Sequence, residues 1–225
     1  MTRNAIAGSR PDVVGCYVER STTHFFPVRY DELDRQSIAI ARLLRSFTFA
    51  PGSVILTVSL VQEIVQFAPF EKAVQILGHF GINAESTNYD AGRIESIVRQ
   101  FDTPAICGVG AASLEGLAMF GHDPAKVFDR RTVWARPDAY DAVKAMAGVD
   151  ARRIVFLGPA VALECAHGGL HYDDRDWLLA EKEGRLHLSS RLPRITPVDN
   201  VDTGVSGRMA ATACSCGAKE ACITL

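Results

Sequence analysis

Apolar positions along the chain fall into short β-branched runs separated by amphipathic stretches. Residues 13–18 are apolar and β-branched, the polar stretch 19–24 interrupts them, and Phe25-Phe26-Pro27-Val28 follows, an order that predicts strand, turn, strand. Asp31 then opens a pattern with Leu33, Ile38, Ile40, Ala41, Leu43 and Leu44 on one helical face, and Pro51-Gly52 ends that unit. The same alternation predicts strands over 54–58, 82–86, 104–109, 132–135 and 154–157. Between them it predicts helices over 62–77, stopped at Gly78, over 91–101, capped by Asp90, and over 111–120 and 137–146. Strands spaced by helices of this length indicate an α/β fold with a mainly parallel sheet flanked by helices.

The pattern changes after Gly158. Short strand signals at His171-Tyr172, 177–181 and 185–189 alternate with Asp, Gly and Pro turns, which predicts a small antiparallel β region. The expected division is an α/β sheet domain over 1–160 and a small β-rich, metal-bearing region over 161–225.

Composition narrows the function classes. Of 225 residues, 48% are apolar and 22% charged, as in an ordinary globular protein. The net charge is −2, and only Arg208 and Lys219 lie near the C-terminal cysteines, which argues against nucleic acid or an anionic membrane as partner. Residues 1–14 hold no apolar run suited to a signal peptide, and no segment approaches the roughly 20 apolar residues of a membrane span. Cytoplasm is therefore the expected location.

Six cysteines carry the candidate chemistry. Cys16 and Cys107 sit inside apolar runs and read as buried small hydrophobes. Cys165 and His171 bracket a Gly-Gly turn, and Cys214-Ser215-Cys216-Gly217 places two thiols on one turn. Thiolate and imidazole donors suit Zn(II), and four protein ligands would leave no open position, so the role would be structural. His167 and Cys222 are spare ligands on this reading.

Leu163-Glu164-Cys165, Gly169-Leu170-His171-Tyr172-Asp173-Asp174, Trp177 to Glu181 and Gly184-Arg185-Leu186-His187-Leu188-Ser189-Ser190 stand in a recognisable order, followed by Pro197, Thr203-Gly204 and Cys214-Ser215-Cys216-Gly217. Together they resemble the adenylate-forming (AMP-binding) acyl-CoA ligase superfamily, of the phenylacetate–CoA ligase type. The resemblance extends upstream through Pro51-Gly52-Ser53 and Pro104-Ala105-Ile106-Cys107-Gly108-Val109. It implies zinc held by Cys165, His171, Cys214 and Cys216, and it favours His171 over His167.

The family's ATP motifs are altered. Glu19-Arg20-Ser21-Thr22-Thr23-His24 stands where a glycine-bearing phosphate loop would be, with Ser21 and His24 in place of both glycines. Val161 stands at the magnesium-binding glutamate and Val205 at the ribose-binding aspartate. The lid domain that carries the adenylation lysine would begin after Gly217. A valine neither binds Mg²⁺ nor accepts a hydrogen bond, so ATP is not expected as a cofactor.

The resulting expectation is a truncated, degenerate ligase homologue that binds an acyl or aryl small molecule or a protein partner. One alternative is an enzyme with new, ATP-independent chemistry in the old pocket, with His24 and Glu164 as catalytic candidates beside Asp173 and Asp174. Glu164 could equally be a hydrogen-bond partner of the metal histidine. Another is one half of a split ligase whose lid comes from a second polypeptide. Apolar sheet ends left uncovered predict a homodimer.

Overall fold

The computed structural model describes residues 10–225; the first nine residues of the stretch read for a leader lie outside the described residues. A hairpin of β1 (Val13–Glu19) and β2 (Thr22–Val28) precedes helix α1 (Tyr30–Leu44). Alternating elements follow: β3 (Val54–Ser59), α2 (Ile64–Ile76), β4 (Phe80–Glu85), α3 (Ala91–Gln100), β5 (Ala105–Val109) and α4 (Ala111–Met119). Next come α5 (Pro124–Val127), β6 (Thr132–Ala135), α6 (Tyr140–Lys144) and β7 (Asp150–Leu157). The rest is strand: β8 (Ala160–Glu164), β9 (Leu170–Tyr172), β10 (Trp177–Lys182), β11 (Arg185–Ser190), β12 (Val201–Ser206), β13 (Arg208–Met209) and β14 (Cys222–Thr224). Among the described residues no helix is long and apolar enough to cross a membrane.

The main sheet has nine strands in the order β13-β14-β9-β8-β7-β6-β5-β3-β4. From β4 to β7 the pairings are parallel, as the βαβ alternation predicts, and from β7 to β13 they are antiparallel. The residue-160 boundary thus falls at the β7–β8 hairpin, inside a continuous sheet. Strands β10, β11 and β12 form a separate antiparallel sheet.

Strand alternation sorts the core. Ile55, Ala105, Cys107 and Trp134 face a layer built by α1 and α2, whereas Leu56, Val58, Ile106 and Val133 face α3, α4 and α6. A third cluster joins the β1–β2 hairpin to β7, β8 and the small sheet through Phe26, Leu157, Trp177 and Leu188. Trp134 is fully buried, packs edge-on to Phe47 and Phe70, and donates its indole N–H to the Glu164 carbonyl at 2.9 Å. Removing such a side chain typically costs about 3–5 kcal/mol.

Several local expectations change. The expected turn over 19–24 contracts to Arg20 and Ser21, both left-handed at φ 47° and 70°. A two-residue turn of that kind matches the strand twist, and the β-branched Thr22 and Thr23 extend β2. Asp90 stands at the N-cap of α3 as expected, but its carboxylate accepts from the Glu85 N–H at 2.7 Å and not from the helix. The helix read over 137–146 shortens to α6. Strand β8 was not anticipated, because Gly158-Pro159 reads as a stop; Gly158, at φ 64°, turns the chain straight back along β7.

Arg136 fixes the C-terminal ends of the parallel strands. Its guanidinium lies over Phe67 and Phe156, pairs with both Glu63 oxygens at 2.6 and 2.7 Å, and donates to the Gly108 and Val58 carbonyls. Gly108 has φ 100°, and a Cβ there would meet the Val58 carbonyl oxygen at 2.2 Å. Gly108→Ala is therefore expected to lower stability by about 3 kcal/mol, measured by denaturant unfolding; an unchanged midpoint would contradict this packing.

Candidate metal centre and adjoining cleft

Cys165 directly follows β8, β9 delivers His171, and the loop before β14 brings Cys214 and Cys216 back against them. One donor atom from each lies within 4.8 Å of every other. Tetrahedral ligands at Zn–S of about 2.3 Å and Zn–N of about 2.0–2.1 Å stand roughly 3.5–3.8 Å apart. The observed separations are 3.6 Å for Cys165 Sγ to Cys214 Sγ and 3.3 Å for Cys216 Sγ to His171 Nε2. That sulfur spacing is far outside the ~2.05 Å of a disulfide, and all six cysteines are free thiols. The cluster can hold a thiophilic divalent ion with four protein ligands.

Its surroundings orient the donors. His171 Nδ1–H donates to the Glu220 carbonyl at 2.8 Å, which leaves the Nε2 lone pair for a metal. Glu220 is itself buried, and Arg42 of α1 donates to its carboxylate at 2.6 Å, so the cluster is tied to the helix layer. Gly169 is required where it stands, since a Cβ would lie 2.6 Å from Cys214 Sγ and 2.9 Å from His171 Nε2.

Charge in the cluster is concentrated on one sulfur. Burial opposes the Cys214 thiolate, but hydrogen bonds from the Cys216 backbone, His171 and the neighbouring thiols outweigh it and bring the thiol down to about 6. Burial pushes Cys165 up to about 12; burial, then the Cys214 and Cys165 charges, push Cys222 up to about 11. A bound cation would reverse this ordering by stabilising all the thiolates at once.

The other candidates separate. Register pairs Leu163 with His171, so Glu164 projects to the opposite face of β8. Its carboxylate accepts from the Arg153 N–H and guanidinium at 3.1 and 3.3 Å, which corrects the expectation that it orients the metal histidine. His24 lies across from Tyr17, stacks on its ring at 5.1 Å between centroids, and stands 3.7 Å from Glu19. His24 and Glu164 thus have no partner in common. His167 Nδ1 faces Ser215 Oγ at 3.4 Å, whereas Cys222 Sγ stands 3.3 Å from His171 Nδ1. Asp173 Oδ1 accepts from the Arg175 N–H; burial, then the Asp176 charge, raise its carboxyl to about 6.

A cleft of 560 Å³ opens at the C-terminal ends of β3 and β7. The hairpin turn, Gly158, Thr203 and Gly204 line it, and these are the segments read as rewritten ATP motifs. Tyr17, Val18, Leu60 and Phe156 supply apolar walls. Asp202 latches the hairpin: Arg20 Nε and Arg185 Nε donate to its two oxygens at 3.2 and 3.1 Å, and Glu19 accepts its backbone N–H. The Gly204 N–H first, and then these guanidinia, hold the Asp202 carboxyl below the usual carboxylate range. Gln66 Nε2 donates to the Cys16 and Gly158 carbonyls, while its Oε1 is buried without a partner. An unpaired buried acceptor costs about 1–3 kcal/mol. Val161 and Val205 pack instead into apolar clusters. Sequence reasoning passed over Gln66, Arg185, Asp202 and Glu220, since single polar residues without spacing carry no signal.

In fold the chain is similar to solved structures of acyl-CoA ligases. The chain is similar to 2-hydroxyisobutyryl-CoA ligase in an open conformation in complex with 2-HIB-AMP and CoA, with TM-score 0.71 and 12% identity over 97% of this chain and 57% of that one. Against the same ligase in the postadenylation state with 2-HIB-AMP the TM-score is 0.69, at 11% identity over 95% of this chain and 50% of that one. The likeness is one of fold, and the chain spans 57% and 50% of the length of these two ligases. No protein-family model matches the chain, and no curated protein matches it by sequence.

One divalent ion per chain is expected on elemental analysis of protein purified without chelator. At free metal a hundredfold above Kd, binding contributes about 2.7 kcal/mol, so stripping the ion lowers the melting midpoint by roughly 5–10 °C. A metal-free preparation that melts unchanged on adding zinc would sink the assignment.

Proposed function

We propose that this chain is a degenerate homologue of the adenylate-forming ligases, of the phenylacetate–CoA ligase type, that binds an acyl or aryl small molecule without adenylating it. The observation that carries the reading is the open, partly apolar cleft framed by altered ATP motifs. The hairpin that replaces the phosphate loop is latched to β12, and its non-glycine turn offers no flexible backbone cradle for phosphates. The positions of the magnesium and ribose carboxylates carry Val161 and Val205, both packed against apolar neighbours. Zn(II) is the ion we assign to the Cys₃His cluster, in a structural role. Six cysteines with no disulfide between them fit a reducing, cytoplasmic compartment.

Calorimetry tests this reading. Aryl or acyl carboxylates are expected to give saturable heats, and Mg–ATP none at millimolar concentration. Saturable Mg–ATP binding, or AMP release when a carboxylic acid is supplied, would overturn it.

A second copy is the partner we propose for the outer face of the hairpin, where Val14 and Phe25 are 52% and 76% exposed. Phe25→Asp is expected to convert a dimer to a monomer in light scattering behind size exclusion. A wild-type chain that runs as a monomer at high micromolar concentration would refute the dimer.

A further inference from the structure

A further sulfur adjoins the metal cluster. Strand register sets Cys222 of β14 directly opposite His171 of β9. Directly opposed side chains share one face of a sheet, so Cys222 is turned to the side on which His171 meets the other donors. Its sulfur stands 3.3 and 3.4 Å from the two ring nitrogens of His171, and the Cys214 thiol and backbone N–H lie beside it. Cys222 is nevertheless outside the set of four donors that lie within 4.8 Å of one another. Four protein ligands fill a tetrahedral zinc site, so Cys222 keeps its thiol when the site is loaded.

Access separates the sulfurs. Cys165 is fully buried, whereas Cys214, Cys216 and Cys222 are half-buried and within reach of a small oxidant. Cys216 faces His171 Nε2 at 3.3 Å and accepts from the Ala218 N–H. Cys222 thus adjoins an accessible ligand sulfur, that of Cys214, without being spent on the metal itself. Residues 215–221 between the two hold no helix or strand, so they can close on each other without unwinding an element. A reactive thiol beside a resolving thiol is the arrangement in which oxidation stops at a disulfide.

We infer that Cys222 is a resolving thiol, and that a hydroperoxide converts Cys214 and Cys222 to a disulfide that expels the metal. The Cys214 thiolate attacks the peroxide; the O–O bond breaks, and Cys214 becomes a sulfenic acid as hydroxide leaves. The Cys222 thiol then attacks that sulfur, the S–S bond forms, and the S–O bond breaks with loss of water. The pair of sulfurs loses two electrons and the peroxide gains them. With Cys214 withdrawn, Cys165, Cys216 and His171 are too few for a closed tetrahedral site. A thiol reductant reverses the change. The inference rests on the assignment of zinc to the cluster, and it adds a redox control of that ion.

The test takes the full chain purified with its metal and adds hydrogen peroxide in stepwise equivalents. Zinc release is read with a chromogenic chelator, and thiol pairing by peptide mass mapping after alkylation. One zinc is expected to leave per Cys214–Cys222 disulfide, and dithiothreitol with added zinc restores the loaded form. Cys222→Ser is expected to purify with its full zinc. After the same peroxide treatment its reloadable fraction falls roughly twofold or more, because an unresolved Cys214 advances to the sulfinic acid, which thiols do not reduce. A disulfide confined to Cys165, Cys214 and Cys216, with Cys222 still open to alkylation, overturns the resolving role. Zinc retained by the disulfide form, or a Cys222→Ser chain that purifies without zinc, overturns it as well; all three leave a metal at the cluster. A wild-type chain that carries no zinc and takes up none removes the zinc assignment together with the inference.

Discussion

Three sulfurs and an imidazole held within 4.8 Å of one another set the condition on which the C-terminal third depends. Thiolates at this spacing repel, and without a cation only Cys214 is brought down into the physiological range. A divalent ion held there would remove the conflict and turn four side chains into one crosslink. That crosslink would join β8 and β9 to a loop that has little else to hold it, since β13 and β14 are short and sit at the sheet edge. Through Glu220 and Arg42 it would also brace α1.

The cleft lies away from the metal, and a different device shapes it. Arg136 pins the ends of β3, β5 and β6, and Asp202 draws the β1–β2 hairpin onto β12. These are charge-assisted contacts around partly buried groups, so each holds one backbone arrangement strongly at the cost of desolvating its ions. The walls are therefore preformed. Pre-organisation of that kind favours a ligand small enough to enter without moving the hairpin.

How much of this could be read from sequence followed from the length scale of each signal. Strands β3, β5, β6 and β7 and helices α1 to α4 are long, periodic or apolar, and the α/β alternation was legible from them. The Cys/His cluster was legible because two close pairs stand on glycine-bearing turns, and the family resemblance picked His171 over His167. Strand β8 was hidden behind Gly158-Pro159, and β12 to β14 were hidden by shortness and by mixed polarity that only pairing partners make extended. Glu164 looked like a companion of the metal because it precedes Cys165, yet pleat alternation sends it to the other face. The latch and Gln66 join residues up to 183 positions apart, a separation at which no local pattern exists.

Val161 packs under α1 in the same cluster as Leu163 and Cys165, so β8 is anchored on the face that leads directly into the Cys₃His cluster. A carboxylate at residue 161 would be buried among apolar side chains there, and desolvation would raise its pKa and oppose charge. Valine is the residue that this packing favours. Valine there consolidates the layer against which the Cys₃His cluster rests, and the packing that holds the sheet is incompatible with an ionised carboxylate at the same place.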